Sequence, residues 1–278
     1  MNPRNGLGNM WLDRVTLQPL HWRPDCVWYD WRRGITLNAV GLSGPGARAL
    51  LDRGLWQQRT EPFFISFMSV AATPEARLAE LGRFVETLSW YKEGFRVRFG
   101  LQINISCPNV GLDPKILVPE ARSALDIAAV LGIPLIVKIS VEAKPQDVAN
   151  IAKHPACDAL CVGNTIKFGH LPEQIDWVGL FGTADPAKSP LAKYGGGGLS
   201  GPPLLPVLGE WLYRYRQIDQ KTPISACGGI FSVRDALWLL EYRGANAIEL
   251  GTVATLRPWR LQRIIRAVNA YFESQKGQ

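Results

Sequence analysis

A cysteine between two asparagines is the group best placed for chemistry in this sequence. The run INISCPNV, residues 103–110, begins with β-branched apolar residues and then changes to Asn104, Ser106, Cys107 and Asn109. Such a change is typical of a buried parallel strand that ends in a loop. A thiol at that position can act as a base if its pKa lies near ambient pH. The run therefore predicts an active-site loop.

Lys138 is a cation inside the apolar run IPLIVKIS, close to its carboxyl end. Lysine is rarely buried without a partner, so a ligand anion is the expected one, although an edge lysine could also extend to water. Asn164 and Thr165 end the next apolar run in the same way. We expect Asn104, Asn109 and Asn164 to converge on one planar ligand with amide and carbonyl edges.

Three glycine clusters lie in the second half of the chain, GGGGLSGPPL (195–204), ACGGI (226–230) and ELGTV (249–253). Glycine lets backbone N–H groups approach a phosphate closely, and hydroxyls such as those of Ser200 and Thr252 add donors. In β/α barrels, a phosphate commonly binds after the last two strands. One cluster alone would indicate a turn; the three together predict a phosphate site.

The chain alternates between strand and helix patterns. Helical segments include one that begins near Pro119 and one with Ser232 as its N-cap and Gly244 as its C-terminal stop. This alternation predicts a parallel sheet covered by helices, and a (β/α)8 TIM barrel is favoured because no G-x-G-x-x-G follows an early strand. A long irregular loop is expected over 166–200. Strands are predicted at 63–67, 101–106, 134–140, 159–165, 223–230 and 247–253.

Composition predicts one folded domain over residues 1–278, since 47% of residues are hydrophobic and 20% are charged. No apolar run is long enough to span a bilayer and no signal peptide is evident, so we expect a cytoplasmic protein. The net charge of +7 favours anionic ligands, while the arginines of 257–266 indicate an exposed helix face rather than nucleic-acid binding. The spacing of the five cysteines predicts neither disulfides nor a metal site.

Seven motifs resemble the dihydroorotate dehydrogenase family in order and spacing. They are TLNAVGLSGPG, INISCPNV, IVKIS, GNT, GGLSGP, SACGGI and LGTV, and they span the chain from Asn38 onwards. The resemblance implies an FMN-binding TIM barrel that oxidises dihydroorotate to orotate in pyrimidine biosynthesis. The cysteine in place of serine is similar to the soluble class 1 enzymes.

The same resemblance implies roles for individual residues. Cys107 would remove the C5 proton while hydride leaves C6 for the flavin N5, and Lys138 would stabilise the negative charge of the reduced flavin. The implied substrate-binding residues are Asn38, Gly41, Leu42, Asn104, Asn109, Asn164 and Thr165. The implied FMN-binding residues are Asn104, Lys138, Ser200, Gly201, Cys227, Gly228, Gly229, Gly251 and Thr252.

The N-terminal residues depart from the family pattern, which opens with one strand and continues with a second that carries a lysine. VTLQP (15–19) resembles the segment after that lysine, which puts Asp13 in its place; alternatively, NPRNGLGNMWL matches a later segment. Either register predicts an N-terminally incomplete barrel, with its first strand absent and its second absent or altered. We expect a misplaced start codon, rather than a fragment or a diverged oligomer, and an upstream strand followed by a Lys-Thr-like pair.

The implied partners are a small-molecule substrate and a second copy in a homodimer. An iron–sulfur electron-transfer subunit is the further partner if NAD is the acceptor, and its cluster would belong to that other chain, because no cysteine cluster here could hold one. The electron acceptor stays open among fumarate, a quinone and NAD. Two other functions also stay open: a dihydropyrimidine dehydrogenase-like reductase, which Asn109 disfavours because that relative typically has histidine there, and a non-catalytic barrel. A tRNA-modifying flavin reductase lacks the Asn-x-Ser-Cys-Pro-Asn signature.

Overall fold

The computed structural model describes residues 11–16, 24–105 and 114–276. Seven described strands form one parallel sheet in the order β1-β4-β5-β6-β7-β10-β11. They are, with strands numbered in chain order, β1 (Trp11–Val15), β4 (Phe63–Phe67), β5 (Phe99–Asn104), β6 (Leu135–Ile139), β7 (Ala159–Val162), β10 (Ile224–Cys227) and β11 (Ala247–Glu249). The predicted parallel α/β architecture is confirmed.

Helices follow most of these strands and cover the sheet. β5 and β6 are buried along their whole length, which explains why their sequences are nearly continuous apolar runs. The helices are α1 (Ala47–Asp52), α2 (Pro74–Tyr91), α3 (Pro114–Ala129), α4 (Pro145–Ala152), α5 (Trp177–Phe181), α6 (Leu204–Arg216), α7 (Val233–Tyr242), α8 (Thr252–Leu256) and α9 (Leu261–Gln275). Among the described residues, no helix is long and apolar enough to cross a membrane.

The sheet curls in the manner of a barrel. Gln102 on β5 donates a 3.0 Å hydrogen bond to Glu249 on β11, although three strands separate the two. In a flat sheet, four strand spacings would hold these strands about 19 Å apart. β5 and β11 therefore face each other across an interior. In the described part of the chain, β1 and β11 are the terminal strands and do not pair with each other.

A second sheet is antiparallel and has the order β2-β3-β9-β8, formed by β2 (Val27–Asp30), β3 (Ile35–Asn38), β9 (Gly198–Ser200) and β8 (Ile166–Lys167). The prediction of a long irregular loop over 166–200 is wrong, because this segment contains β8, α5 and β9. Its residues Phe168, Trp177 and Leu199 join a buried apolar cluster that also contains Ile35 and Leu37 of β3. Only Gly198–Ser200 of the segment's glycine-rich end form a strand, and Gly195 and Gly196 form a turn before it.

One helix boundary near the site differs from the predicted one. α3 begins at Pro114, so Pro119 lies in the second turn and not at the start. β1 pairs in parallel with β4, with Val15 opposite Phe67, which agrees with the register that places VTLQP just after a second barrel strand. By contrast, the limits of α7 are as predicted: the Ser232 side chain accepts from Asp235 N–H, and Gly244 has a φ of 72° just after the helix.

Candidate active site

The carboxyl ends of the parallel strands open into a cavity of about 500 Å³. Residues of the antiparallel sheet, including Thr36 and Asn38 on β3 and Ser200 on β9, form the opposite wall. The cavity therefore lies between the two sheets, at the edge where β/α barrels bind ligands. Every predicted site residue that the structure describes lines it: Asn38, Gly41, Leu42, Asn104, Lys138, Asn164, Thr165, Ser200, Gly201, Cys227, Gly228, Gly229, Gly251 and Thr252.

Two of the predicted site residues, Cys107 and Asn109, lie outside the described residues. The described chain stops at Ile105, whose N–H donates to the carbonyl of Lys138, and resumes in α3. The preceding residue, Asn104, lines the cavity. The roles of Cys107 and Asn109 stay predictions.

Asn104 and Asn164 orient each other at the cavity wall. Asn164 Nδ2 donates to Asn104 Oδ1 at 3.3 Å, and the backbone N–H of Thr165 donates to Asn164 Oδ1 at 3.0 Å. These contacts fix the direction of the Asn164 carboxamide before a ligand arrives, which lowers the entropy cost of binding. Next to them, Thr165 Oγ1 is buried and has no hydrogen-bond partner among the described residues. An unpartnered buried hydroxyl at a cavity wall is suited to a ligand atom.

The segment after β3 has an unusual backbone. Gly41 and Leu42 both have positive φ values, 70° and 61°, and both line the cavity. The left-handed conformation costs a leucine about 1 kcal/mol, and such strain is found preferentially where a segment binds a ligand. The strain is consistent with the expectation that Gly41 and Leu42 present backbone groups to a substrate carboxylate.

The glycines after β10 allow that strand end to pack against α6. Gly229 has a φ of 73°, and a Cβ there would lie 2.3 Å from the backbone nitrogen of Leu205 in the first turn of α6. Only glycine permits this approach. β10 pairs with β11, which places Gly228 and Gly229 on the strand adjacent to Gly251 and Thr252. The two predicted phosphate-binding clusters therefore share one end of the cavity.

Inside the sheet, Lys138 meets a carboxylate that our sequence reasoning missed. Lys138 Nζ lies 3.4 Å from Glu249 Oε2, and the Lys138 side chain is only 3% exposed. Glu249 Oε1 accepts hydrogen bonds from Gln102 Nε2 at 3.0 Å and from Ser225 Oγ at 3.3 Å. The sequence predicted a ligand as the anionic partner of Lys138, whereas in the structure the carboxylate of Glu249 is such a partner.

A signal for Glu249 was present in the sequence. Glu249 stands in the apolar run AIELGTV, as Lys138 stands in IPLIVKIS, and two opposite charges in two otherwise apolar strands favour a pair. The prediction for that run named only Gly251 and Thr252, as phosphate-binding groups.

Two cysteines extend this polar interior. Cys227 Sγ lies 3.8 Å from Lys138 Nζ. Burial raises the pKa of the Cys161 thiol far above its usual value, and a hydrogen bond with Cys227 raises it further. Cys161 therefore remains a neutral thiol at physiological pH. Cys227 contacts the Lys138 ammonium as well as Cys161.

The residues of the cavity fit FMN as a cofactor. A flat ring with amide and carbonyl edges needs polar partners along one wall, which Asn104 and the unpartnered hydroxyl of Thr165 offer. A phosphate needs close backbone approach, which the glycine clusters provide at one end. Lys138 supplies a buried cation for a ligand that gains negative charge.

Comparison with known proteins places these features in one family. The sequence profile of the family described as Dihydroorotate dehydrogenase matches residues 2–272. Among curated proteins, the chain is 28% identical over 255 residues to the "Dihydroorotate dehydrogenase B (NAD(+)), catalytic subunit" of Caldicellulosiruptor bescii, covering 87% of this chain and 74% of that relative. The protein of the same name from Listeria welshimeri is 29% identical over 269 residues, with 94% of this chain and 80% of the relative covered.

Solved structures show the same fold. The crystal structure of DHODH from Eimeria tenella in complex with ferulenol superposes with a TM-score of 0.70 at 19% identity, covering 94% of this chain and 74% of that chain. The ligand-free type from the same organism gives a TM-score of 0.65 at 18% identity, covering 95% and 76%. At these identities, the likeness establishes the barrel-type fold.

Proposed function

This chain belongs to the dihydroorotate dehydrogenase family of flavin oxidoreductases, and we propose that it oxidises dihydroorotate to orotate with FMN as its cofactor. One observation carries the proposal: every predicted site residue that the structure describes lines a single cavity at the carboxyl edge of the parallel sheet. The name of the relatives supports the reaction, which belongs to pyrimidine biosynthesis.

The chain would hold FMN along the sheet end of the cavity. Backbone groups of the clusters at Gly228–Gly229 and Gly251–Thr252, with those at Ser200–Gly201, would bind the phosphate. Cys227 and Asn104 would contact the ring system, and Lys138 would balance negative charge on it. When bound, FMN supplies the acceptor for the hydride that dihydroorotate loses from C6.

The substrate would bind between FMN and the asparagines. Asn38, Asn104, Asn109 and Asn164 would pair with the amide and carbonyl edges of the pyrimidine ring, and Thr165 would use its free hydroxyl. Gly41 and Leu42 would donate backbone N–H bonds to the carboxylate. Fixing the ring at several points holds C6 and C5 in one orientation, which lowers the entropy cost of the reaction.

Cys107 would act as the base. Its thiolate would accept the proton from C5, and this loss balances the hydride that leaves C6, so that a C5=C6 double bond forms. The sequence position supports the role, because Cys107 follows β5 by three residues and Asn104 at the end of β5 lines the cavity.

The partners follow from the names of the relatives. Those proteins are catalytic subunits of an NAD(+)-linked enzyme, so we propose that this chain works with an iron–sulfur electron-transfer subunit and that NAD is the final acceptor. We also propose that it forms a homodimer in the cytoplasm. Light scattering of the purified chain would test the dimer, since a monomeric mass contradicts it.

The test begins with the visible spectrum of the purified chain after incubation with FMN. A bound flavin spectrum that bleaches when dihydroorotate is added without oxygen supports both the cofactor and the half-reaction. Dihydrouracil is the matched substrate control, because it lacks the carboxylate. Bleaching by dihydrouracil in preference to dihydroorotate would favour a dihydropyrimidine reductase, and a chain that binds no FMN would favour a non-catalytic barrel.

Cys107→Ala tests the base separately. We expect this variant to retain the bound-flavin spectrum and to lose bleaching by at least a hundredfold in rate, the usual contribution of a general base. Cys157→Ala is the control, because Cys157 does not line the cavity and burial raises its pKa to about 12. An equal loss of rate in both variants would contradict the assignment.

A further inference from the structure

The interior of the parallel sheet carries a connected set of polar side chains. Paired strand positions bring Ser66 opposite Gln102, Lys138 opposite Cys161, and Cys227 opposite Glu249. Side chains at paired positions of neighbouring strands lie on the same face of the sheet. Barrel interiors are usually filled by branched apolar residues, so a polar interior here needs an explanation.

The contacts in this set lead to one carboxylate. Ser66 Oγ donates to Gln102 Oε1 at 2.8 Å, and Gln102 Nε2 donates to Glu249 Oε1 at 3.0 Å. Ser225 Oγ donates to the same oxygen at 3.3 Å, and Lys138 donates to Oε2 at 3.4 Å. Both oxygens of Glu249 therefore have partners, and the carboxylate is held in one orientation facing Lys138.

The opposite charges of Lys138 and Glu249 largely offset each other. Lys138 is almost fully buried, and the Glu249 side chain is 22% exposed at the cavity wall. In such a poorly solvated place, charges interact more strongly than in water. A ligand next to Lys138 therefore meets a cation whose field is largely offset by Glu249.

We propose that Glu249 is a positioning residue that acts through Lys138 to lower the reduction potential of the FMN bound in this cavity. The inference rests on the proposed function, because it requires FMN beside Lys138. Two-electron reduction of FMN with uptake of one proton adds one negative charge to the ring system. A lone lysine would stabilise that charge strongly, whereas a lysine paired with Glu249 stabilises it less.

The experiment compares the chain with its Glu249→Gln variant, both loaded with FMN. Glutamine keeps the size of the side chain and an acceptor for Gln102 and Ser225, but it removes the charge. We expect the ratio of affinities for reduced and oxidised FMN to increase at least tenfold, equal to a rise of about 30 mV in a two-electron potential. Dye-equilibrated reduction monitored by absorbance measures the potential without substrate turnover.

Glu142→Gln is the matched control. Glu142 follows β6, is 12% exposed and pairs with His170, but it does not line the cavity. Its substitution removes the same charge and should leave the flavin potential unchanged. An equal shift in both variants would show a general charge effect and overturn the inference.

The remaining outcomes separate the two proposals. If the unchanged chain binds no FMN, the proposed function fails and the inference fails with it. If FMN binds and Glu249→Gln leaves the potential unchanged, the inference alone is overturned. If Glu249→Gln does not fold, Glu249→Asp retains the charge on a shorter side chain, farther from Lys138. A smaller rise in potential then supports the inference, and an unchanged potential overturns it.

Discussion

Lys138 and Glu249, on strands β6 and β11, form an ion pair of 3.4 Å across the interior of the sheet. Burial is the largest single effect on the pKa of Glu249 and would raise it, but the Lys138 charge and hydrogen bonds from Cys161, Lys138 and Gln102 together outweigh burial, so that the pKa lies below its usual value. A carboxylate with a lowered pKa in the folded state stabilises the fold above its unfolded pKa. That stabilisation is lost as the pH falls through the lower, folded-state pKa.

Breaking this pair from one side should destabilise the protein. Lys138→Met leaves the Glu249 charge in a poorly solvated place, and we expect the free energy of unfolding to fall by about 3 kcal/mol at pH 7. The double variant K138M/E249Q removes both charges and should recover most of this loss. Urea unfolding of the single and double variants measures the coupling. A double variant that loses the sum of both single effects would contradict a paired interaction.

Thr165 provides a test that separates ligand binding from folding. Its hydroxyl is buried and has no hydrogen-bond partner among the residues that the structure describes, so Thr165→Val should leave the free energy of unfolding unchanged or raise it by up to about 1 kcal/mol. Orotate should bind about tenfold more weakly, the equivalent of one hydrogen bond of about 1.4 kcal/mol. Calorimetric titration of the FMN-loaded protein measures this affinity.

The control for this substitution is Thr87→Val on α2, whose hydroxyl donates to the Arg83 carbonyl far from the cavity. It should leave the affinity for orotate unchanged. If Thr165→Val destabilises the ligand-free protein by 2 kcal/mol or more, the hydroxyl has a structural partner and the assignment is wrong.

The strands of the parallel sheet were largely predictable because buried parallel strands are continuous apolar runs. All six predicted runs overlap a strand, and the predicted run at 63–67 matches β4 residue for residue. Their carboxyl ends locate the site, which is why so many polar residues at strand ends line one cavity. Local sequence is sufficient to predict these cavity residues because most of them directly follow an apolar run that predicts a strand.

Apolar runs predict neither the second sheet nor the geometry of the ion pair, although the sequence shows the two charges of Lys138 and Glu249 within apolar strands. β2 alternates exposed and half-buried residues, and β9 has three residues, so neither gives an apolar run. Thr36 on β3 pairs with Ser200 on β9, and Lys138 pairs with Glu249 more than one hundred residues further on. Contacts at such separations depend on how the sheet curls, which local patterns do not encode.

Gly229 should tolerate no side chain. Gly229→Ala would place a methyl group 2.3 Å from the backbone of α6 and requires a positive φ. We expect a loss of at least 2 kcal/mol in the free energy of unfolding and at least tenfold weaker FMN binding, because the end of β10 must move away from α6. FMN fluorescence quenching and urea unfolding measure the two effects.

Gly82→Ala on α2 is the matched control for Gly229→Ala. A Cβ at Gly82 meets no atom within 4 Å, and the helical backbone suits alanine. We expect this control to gain up to about 1 kcal/mol with unchanged FMN affinity. A Gly229→Ala variant that behaves like the control would contradict the packing of β10 against α6.

Asp219 stabilises the turn between α6 and β10. β10 is the strand that leads to the predicted phosphate-binding glycines Gly228 and Gly229. The Asp219 carboxylate accepts from the backbone N–H groups of Lys221 and Thr222 and from the hydroxyls of Thr222 and Tyr215. Burial alone would raise the pKa of Asp219, but these donors outweigh it and lower the pKa to about 2. The ionised form therefore stabilises the fold.

The sign of this effect predicts how an Asp219→Asn variant responds to pH. The folded-state pKa lies below the usual value of about 3.9, so the stabilisation is complete above about pH 5 and disappears as the pH falls through about 2. Since Asp219 is partly exposed, solvent screening limits its contribution to about 1 kcal/mol. The melting temperature of Asp219→Asn should lie below that of the unchanged protein at pH 7, and the two should converge near pH 2. Glu249 titrates equally in both proteins and cancels in the difference, so a gap of equal size at pH 7 and pH 2.5 would contradict the assignment.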